Sequence, residues 1–227
     1  MAKKVSRKQL LKEPDEFITF TGKLIRLVST YQKQITIVIG IVVSVFLIIS
    51  IVKFYTNRME NNAFTLLNQA NDKYSAVLSS QDASTALKEV EKDFEYILSE
   101  YSGYQGGKIA RVNYAAYCYR AGEYDKASSL YKTALKDFGN NPSYQNLILN
   151  GLGYSYKAKK DYENSVKYFE MIASSKIPML KDEALFNLSK LYLILGKKGK
   201  SIEVLSTIVS DYPESIYIDL ARDQLSL

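Results

Sequence analysis

Apolar residues follow two different patterns along this 227-residue chain. From residue 35 to residue 52 they form one run of Ile, Val, Leu and Phe, relieved only by Thr36, Gly40, Ser44 and Ser50. No charged residue lies between Lys33 and Lys53. As a helix this run would reach about 27 Å, close to the ~30 Å hydrocarbon core of a bilayer. It predicts a membrane-spanning helix with Tyr31 and the Phe54-Tyr55 pair at its interfaces. From residue 63 onward apolar positions instead recur every three or four residues, the period of helices with one buried face. Turn residues interrupt that second pattern at regular intervals and predict short paired helices.

The pairs repeat. One copy runs Ala115, Tyr119, Gly122, Tyr124, Ala127, Tyr131, Ala134, Leu135. The next runs Gly153, Tyr156, Tyr162, Ser165, Phe169, Ile172, and a third runs Ser189, Tyr192, Gly196, Ser201, Leu205, Ile208, Pro213. The small residue opening each second (B) helix, Ala127, Ser165 and Ser201, recurs at spacings of 38 and 36. The small residue of each first (A) helix, Ala115, Gly153 and Ser189, keeps the same spacings. Close A–B packing requires this, because large side chains there would push the helices apart. These offsets resemble the tetratricopeptide repeat, a helix–turn–helix unit of nominally 34 residues. The resemblance implies a solenoid, since one hairpin cannot bury its apolar face alone.

A weaker copy comes first, with Phe64, Leu67, Ala70, Tyr74 and Val77 on its A helix and Val90, Phe94, Ile97 and Leu98 on its B helix. After Pro213, Ile218, Leu220, Ala221 and Leu225 mark a closing helix. The expected fold class is all-α, an N-terminal transmembrane helix followed by a tetratricopeptide-like helical-hairpin solenoid. The expected boundaries are a basic tail at 1–34, an anchor at 35–55 and a repeat domain at 56–227. Within that domain the hairpins fall near 63–104, 108–142, 146–178 and 182–213, with a cap at 216–227. Residues 57–62 read as a short polar bridge, and Gly106-Gly107 as a turn before an A helix.

Charge sets the expected orientation. Residues 1–34 carry eight basic residues (Lys3, Lys4, Arg7, Lys8, Lys12, Lys23, Arg26, Lys33) against three acidic ones (Glu13, Asp15, Glu16). Only Lys53 and Arg58 follow the run closely. The basic flank stays cytoplasmic, so the repeats are expected across the membrane. A cleavable signal peptide would have a shorter apolar stretch and a small-residue cleavage site after it. The segment from Pro14 to Tyr31 reads as a helix with Phe17, Phe20, Leu24, Leu27 and Val28 in one stripe. That stripe fits a membrane surface, a neighbouring membrane protein, or a plain extension of the anchor, and the pattern leaves these open.

The net charge of +6 does not indicate nucleic acid, because five of the excess charges lie in residues 1–34 and the remainder is nearly neutral. No His is present, which removes the commonest general base and metal ligand. Cys118 stands alone on an A-helix core stripe, so no intramolecular disulfide can form. No glycine-rich phosphate loop is found. Neither catalytic residues, nor a metal set, nor a cofactor site is expected.

The expected partners are proteins or extended polypeptides. Asn113, Asn150 and Asn187 recur at 37 and 37 on the A helices, which line the concave side of such stacks. Arg120 follows Asn113 by seven, Lys157 follows Asn150 by seven, and Lys190 follows Asn187 by three. Amides can read a peptide backbone and cations can hold a carboxylate. Lys159, Lys160, Lys197, Lys198 and Lys200 form a second basic set in the A–B turns, where solvated turns are the plainer reading.

The whole layout is similar to the ancillary subunit of the bacterial SecYEG translocon: a short basic tail, a single span, a helical repeat ectodomain and a closing helix. That resemblance implies anchoring in the inner membrane, repeats in the periplasm, and association with periplasmic chaperones and newly translocated envelope proteins. Two other readings stay open. One is a structural adaptor of envelope assembly or cell division without translocon contact. The other is a membrane-anchored import receptor facing the cytosol, against which the basic tail argues.

Overall fold

A computed structural model describes residues 16–139 and 141–226. Lys3, Lys4, Arg7, Lys8, Lys12 and Pro14 lie outside the described residues. Regular structure among the described residues is α-helical throughout. The helices are α1 (Glu16–Thr30), α2 (Gln32–Leu78), α3 (Ala83–Glu100), α4 (Gln105–Arg120), α5 (Tyr124–Phe138), α6 (Pro142–Ala158), α7 (Tyr162–Ala173), α8 (Lys181–Ile194), α9 (Lys198–Asp211) and α10 (Ile218–Leu225). The chain divides into two compact units, Met1–Asn57 and Arg58–Leu227.

The first unit holds α1 and the apolar part of α2. Every large apolar side chain from Ile37 to Tyr55 is exposed. This stretch is long and apolar enough to cross a membrane. Residues 57–62, expected as a bridge, are helical instead. They contain no Pro or Gly to stop α2, so the helix runs on through their polar side chains.

The second unit is a stack of hairpins. The end of α2 pairs with α3, α4 with α5, α6 with α7 and α8 with α9, and α10 packs against α9. In the first hairpin Ala63, Leu67, Ala70 and Tyr74 form the buried stripe of α2, facing Ala86, Leu87, Val90, Phe94 and Ile97 of α3. The sequence pattern placed Phe64 and Val77 on that stripe. Both are only partly buried, because the face turns to bring Ala63 against α4. Asp82 caps α3 by accepting from the Thr85 N–H at 2.7 Å. Aromatics join this hairpin to the next: Tyr74 stacks on Tyr117 with centroids 3.6 Å apart, and Phe94 stacks on Tyr114 at 5.1 Å.

The A–B turn has one geometry in the three later hairpins. The N–H groups of Glu123, Asp161 and Lys197 donate to the carbonyls of Cys118, Tyr156 and Tyr192 at 2.8, 3.0 and 2.7 Å. This is the six-to-one bond that closes a helix through a left-handed residue. That residue is Gly122 (φ 85°), Lys160 (φ 60°) or Gly196 (φ 71°). Lysine therefore occupies a conformation that glycine adopts without strain.

Gly106 and Gly107 are not a turn; they lie in the first turn of α4. A Cβ on Gly106 would meet Ala63 Cβ at 2.7 Å, and one on Gly107 would meet the Tyr101 carbonyl oxygen at 1.9 Å. The missing side chains let α4 seat directly on the backbones of α2 and the α3 terminus. Glu60 of α2 completes the junction. Its carboxylate accepts from the Gln105 and Gly106 N–H groups at 3.0 and 2.9 Å, satisfying two free donors at the α4 N-terminus.

Candidate functional site

Small residues hold each hairpin closed. Ala115 and Ala127 are fully buried. The Ser165 hydroxyl donates to the Gly153 carbonyl at 2.8 Å, and the Ser201 hydroxyl donates to the Ser189 carbonyl at 2.9 Å. These two bonds occupy the same register, twelve residues apart in sequence in both hairpins. A Cβ on Gly153 would lie 2.7 Å from the buried Phe169 ring. The A helices are thereby brought close enough to their B partners to leave an edge of polar side chains on the A face.

That edge carries the recurring asparagines, and each is tied to a neighbouring A helix. At the α2–α4 junction, the Asn113 amide donates to Asn71 Oδ1 at 3.3 Å and the Tyr117 hydroxyl donates to the same oxygen at 3.0 Å. At the α6–α8 junction, Glu183 accepts from the Asn150 amide at 3.3 Å and from the Tyr154 hydroxyl at 2.7 Å. The Asn187 amide donates to the Tyr154 oxygen and to the Glu183 carbonyl, both at 3.0 Å. Asn187 Oδ1 in turn accepts from the Lys157 ammonium at 2.9 Å. Burial first, then the Glu183 bond, push the Tyr154 hydroxyl far above its usual value.

The structure thus gathers Asn150, Lys157 and Asn187 into one network with Tyr154 and Glu183. Asn113 belongs to a separate junction. Arg120 is exposed and makes no ion pair among the described residues. Lys190 is exposed and lies over the Phe186 ring, 4.1 Å from its centroid. Burial, then the like charge of Lys190, hold the Lys157 ammonium below its usual value. Neither Lys157 nor Lys190 pairs with a carboxylate among the described residues, and the Asn150 Oδ1 is buried without a partner. The A face at α6–α8 therefore presents the Lys157 and Lys190 cations, chemistry that can take a carboxylate.

Tyr117, Tyr154, Glu183 and Asn71 escaped the sequence reading. A signal for the first two was present: Asn113-Tyr117-Arg120 and Asn150-Tyr154-Lys157 share the spacing i, i+4, i+7 and lie 37 residues apart. Residues at that spacing share one helix face. Of the turn lysines, Lys159 pairs with Asp125 at 2.5 Å and Lys200 lies over the Tyr192 ring at 5.4 Å.

Comparison with known proteins fits this geometry. No curated protein matches the chain. Residues 148–171, within α6 and α7, and residues 183–215, spanning α8 and α9, match models of the tetratricopeptide repeat. Such repeats generally mediate binding to proteins or peptides and are typically not enzymes. The chain is an all-α protein that carries tetratricopeptide repeats after one long apolar helix.

Proposed function

We propose that the protein is a single-pass membrane scaffold whose repeat domain lies outside the cytoplasm and holds a partner polypeptide by a carboxylate on its A-helix face. The observation that carries this reading is the Lys157–Lys190 pair: a half-buried cation held by Asn187 at 2.9 Å and an exposed one over the Phe186 ring, neither with an acidic partner among the described residues. A partner carboxylate would offset their like charge and accept charge-assisted hydrogen bonds worth roughly 1.5–3 kcal/mol. The test uses the full chain in nanodiscs and an array of extended peptides with free or amidated C-termini. Amidation, or the double substitution Lys157→Gln with Lys190→Gln, should weaken capture about tenfold or more, since ~1.4 kcal/mol is tenfold. Equal capture with and without the two lysines would refute the site.

The apolar run and the eight-to-three basic excess before it support an N-terminus in the cytoplasm and repeats in the periplasm of a two-membrane bacterium. A reporter active only outside the cytoplasm, fused after Leu227, should then be active. The layout supports a chaperone-like ancillary role at the SecYEG translocon. Crosslinking in intact membranes should recover translocon subunits or periplasmic chaperones; recovery of cell-division or envelope-assembly proteins alone would move the reading to a structural adaptor.

A further inference from the structure

Helix α1 has an apolar face that nothing in its own unit covers. Phe20, Leu24, Ile25, Leu27, Val28 and Tyr31 are all exposed, between 45% and 69%. At 100° per residue they sweep roughly half of the helix circumference. Arg26 stands on the opposite side and Lys23 at the rim of the face, about 40° from Leu27. From Phe17 to Met59 there are five basic residues and no acidic one. A helix with a wide apolar face and a basic polar face is suited to lie in the plane of an anionic membrane surface.

The junction with α2 permits that placement. The helix is interrupted at Tyr31, although the Tyr31 N–H still donates to the Leu27 carbonyl and the Ile35 N–H to the Tyr31 carbonyl. Just before it, the hydroxyls of Ser29 and Thr30 both donate to the Arg26 carbonyl, at 2.9 and 2.8 Å. Hydroxyls that bond back to a helix carbonyl in this way bend helices. If α1 continued the span axis instead, Phe20 would stand about 22 Å beyond Ile35, in water. A bend at 29–31 would remove that exposure and bring Lys23 and Arg26 to the headgroup phosphates.

We propose that α1 is a membrane-surface helix lying along the anionic cytoplasmic leaflet, with Phe20, Leu24, Leu27 and Val28 among the acyl chains and Lys23 and Arg26 at the lipid phosphates. The proposal rests on the membrane-anchor reading. Charge and continuity select lipid over a protein partner: Lys23 and Arg26 are the only charged residues between Phe17 and Thr30, and one joint separates them from the span.

The test is a spin-label scan of the full chain in nanodiscs. Cys118 is fully buried, so cysteines introduced one at a time at residues 20–31 label selectively. Access to oxygen reports lipid, and access to a nickel chelate reports water. Labels at positions 20, 24 and 27 should share one shallow lipid depth, a label at 26 should face water, and one at 23 should lie between them at the headgroups. Replacing phosphatidylglycerol with neutral lipid, or substituting Lys23→Gln and Arg26→Gln together, should shift the first set toward water several-fold. Water access at 20, 24 and 27 alike would overturn the proposal, as would spin–spin broadening between two copies. A label at position 45 separates the two readings. If it reports deep lipid while α1 is wet, only the surface helix fails; if it is wet too, the anchor itself fails.

Discussion

Replacing Gly107 with Ala should destabilise the repeat domain, although Ala is the better helix former. A Cβ at this position would lie 1.9 Å from the Tyr101 carbonyl oxygen, 2.5 Å from the Tyr101 carbonyl carbon and 3.1 Å from the Ser102 nitrogen. All three are backbone atoms. The Tyr101 oxygen already accepts from the Tyr104 N–H at 3.0 Å, so it cannot retreat without opening the α3–α4 turn. Reaching ordinary contact near 3.4 Å means a movement of about 1.5 Å at the α4 N-terminus. Overpacking of this kind costs about 1–3 kcal/mol. The same movement pulls Gln105 and Gly106 from the Glu60 carboxylate, a cap worth about 1 kcal/mol. Helix propensity returns about 1 kcal/mol at most. The net loss is about 2 kcal/mol, or roughly 4–8 °C in Tm for a domain of this size. Gly199, in the first turn of α9, is the matched control. A Cβ there meets nothing within 4 Å, so Gly199→Ala should stabilise by about 0.5–1 kcal/mol. Thermal and urea melts of the Arg58–Leu227 unit, followed by far-UV circular dichroism, read both signs. If Gly107→Ala melts at or above the parent while Gly199→Ala rises as expected, the tight α3–α4 seat is wrong.

Two further outcomes are expected. Lys160 adopts the left-handed conformation at φ 60° that Gly122 and Gly196 occupy in the neighbouring turns. Lys160→Gly should therefore stabilise the domain by about 0.5–1 kcal/mol after the added freedom of the unfolded chain is subtracted, seen as a higher urea midpoint at unchanged slope. Burial pushes the Tyr114 and Tyr131 hydroxyls and the Cys118 thiol up to about 12, from ordinary values of 10.0 and 9.0. The folded state keeps protons that the unfolded chain releases, so this stability is complete below pH 9 and is lost as pH rises toward 12. Urea midpoints should fall across that window, with tyrosinate absorbance rising in step with unfolding; flat midpoints would contradict the burial.

The hairpins were legible because their spacing is dictated by contact. Two helices approach closely only where side chains are small, so Gly153, Ser165, Ser189 and Ser201 mark the contact in the chain itself. Glycine misled at positions 106 and 107 because it answers two demands, a turn or a close backbone approach, and local sequence does not say which. The continuous α2 was missed for a related reason. A polar stretch reads as a loop, yet polarity sets which side of a helix meets water, while Pro and Gly end it. On the A face, sequence period placed Asn113, Asn150 and Asn187 on the A helices, with Asn150 about 100° out of the small-residue register. It could not say that Asn187 would be 5% exposed and bonded to Tyr154, Glu183 and Lys157, because those ties depend on the distance between helices.

That tie has a consequence for how the face must be probed. Asn187 is an interhelical brace, so its substitution tests folding before it tests binding. Lys190 is different: it is exposed, lies over the Phe186 ring, and adds its like charge to the burial that holds the Lys157 ammonium below its usual value. Removing that charge with Lys190→Gln should leave the free domain as stable as the parent or slightly more so. The same change should weaken capture of a carboxylate-bearing peptide, because one of the two cations that favour it is gone. Residues retained for binding at the expense of the free fold show this opposition of effects. Saturating peptide should stabilise the parent through linkage, by about 2.7 kcal/mol at a hundredfold excess over Kd, and so raise its melting temperature, while stabilising Lys190→Gln less at equal concentration. A Lys190→Gln domain that melts lower without peptide and gains as much with it would show that Lys190 serves the fold, and the two-cation site would then have to be abandoned.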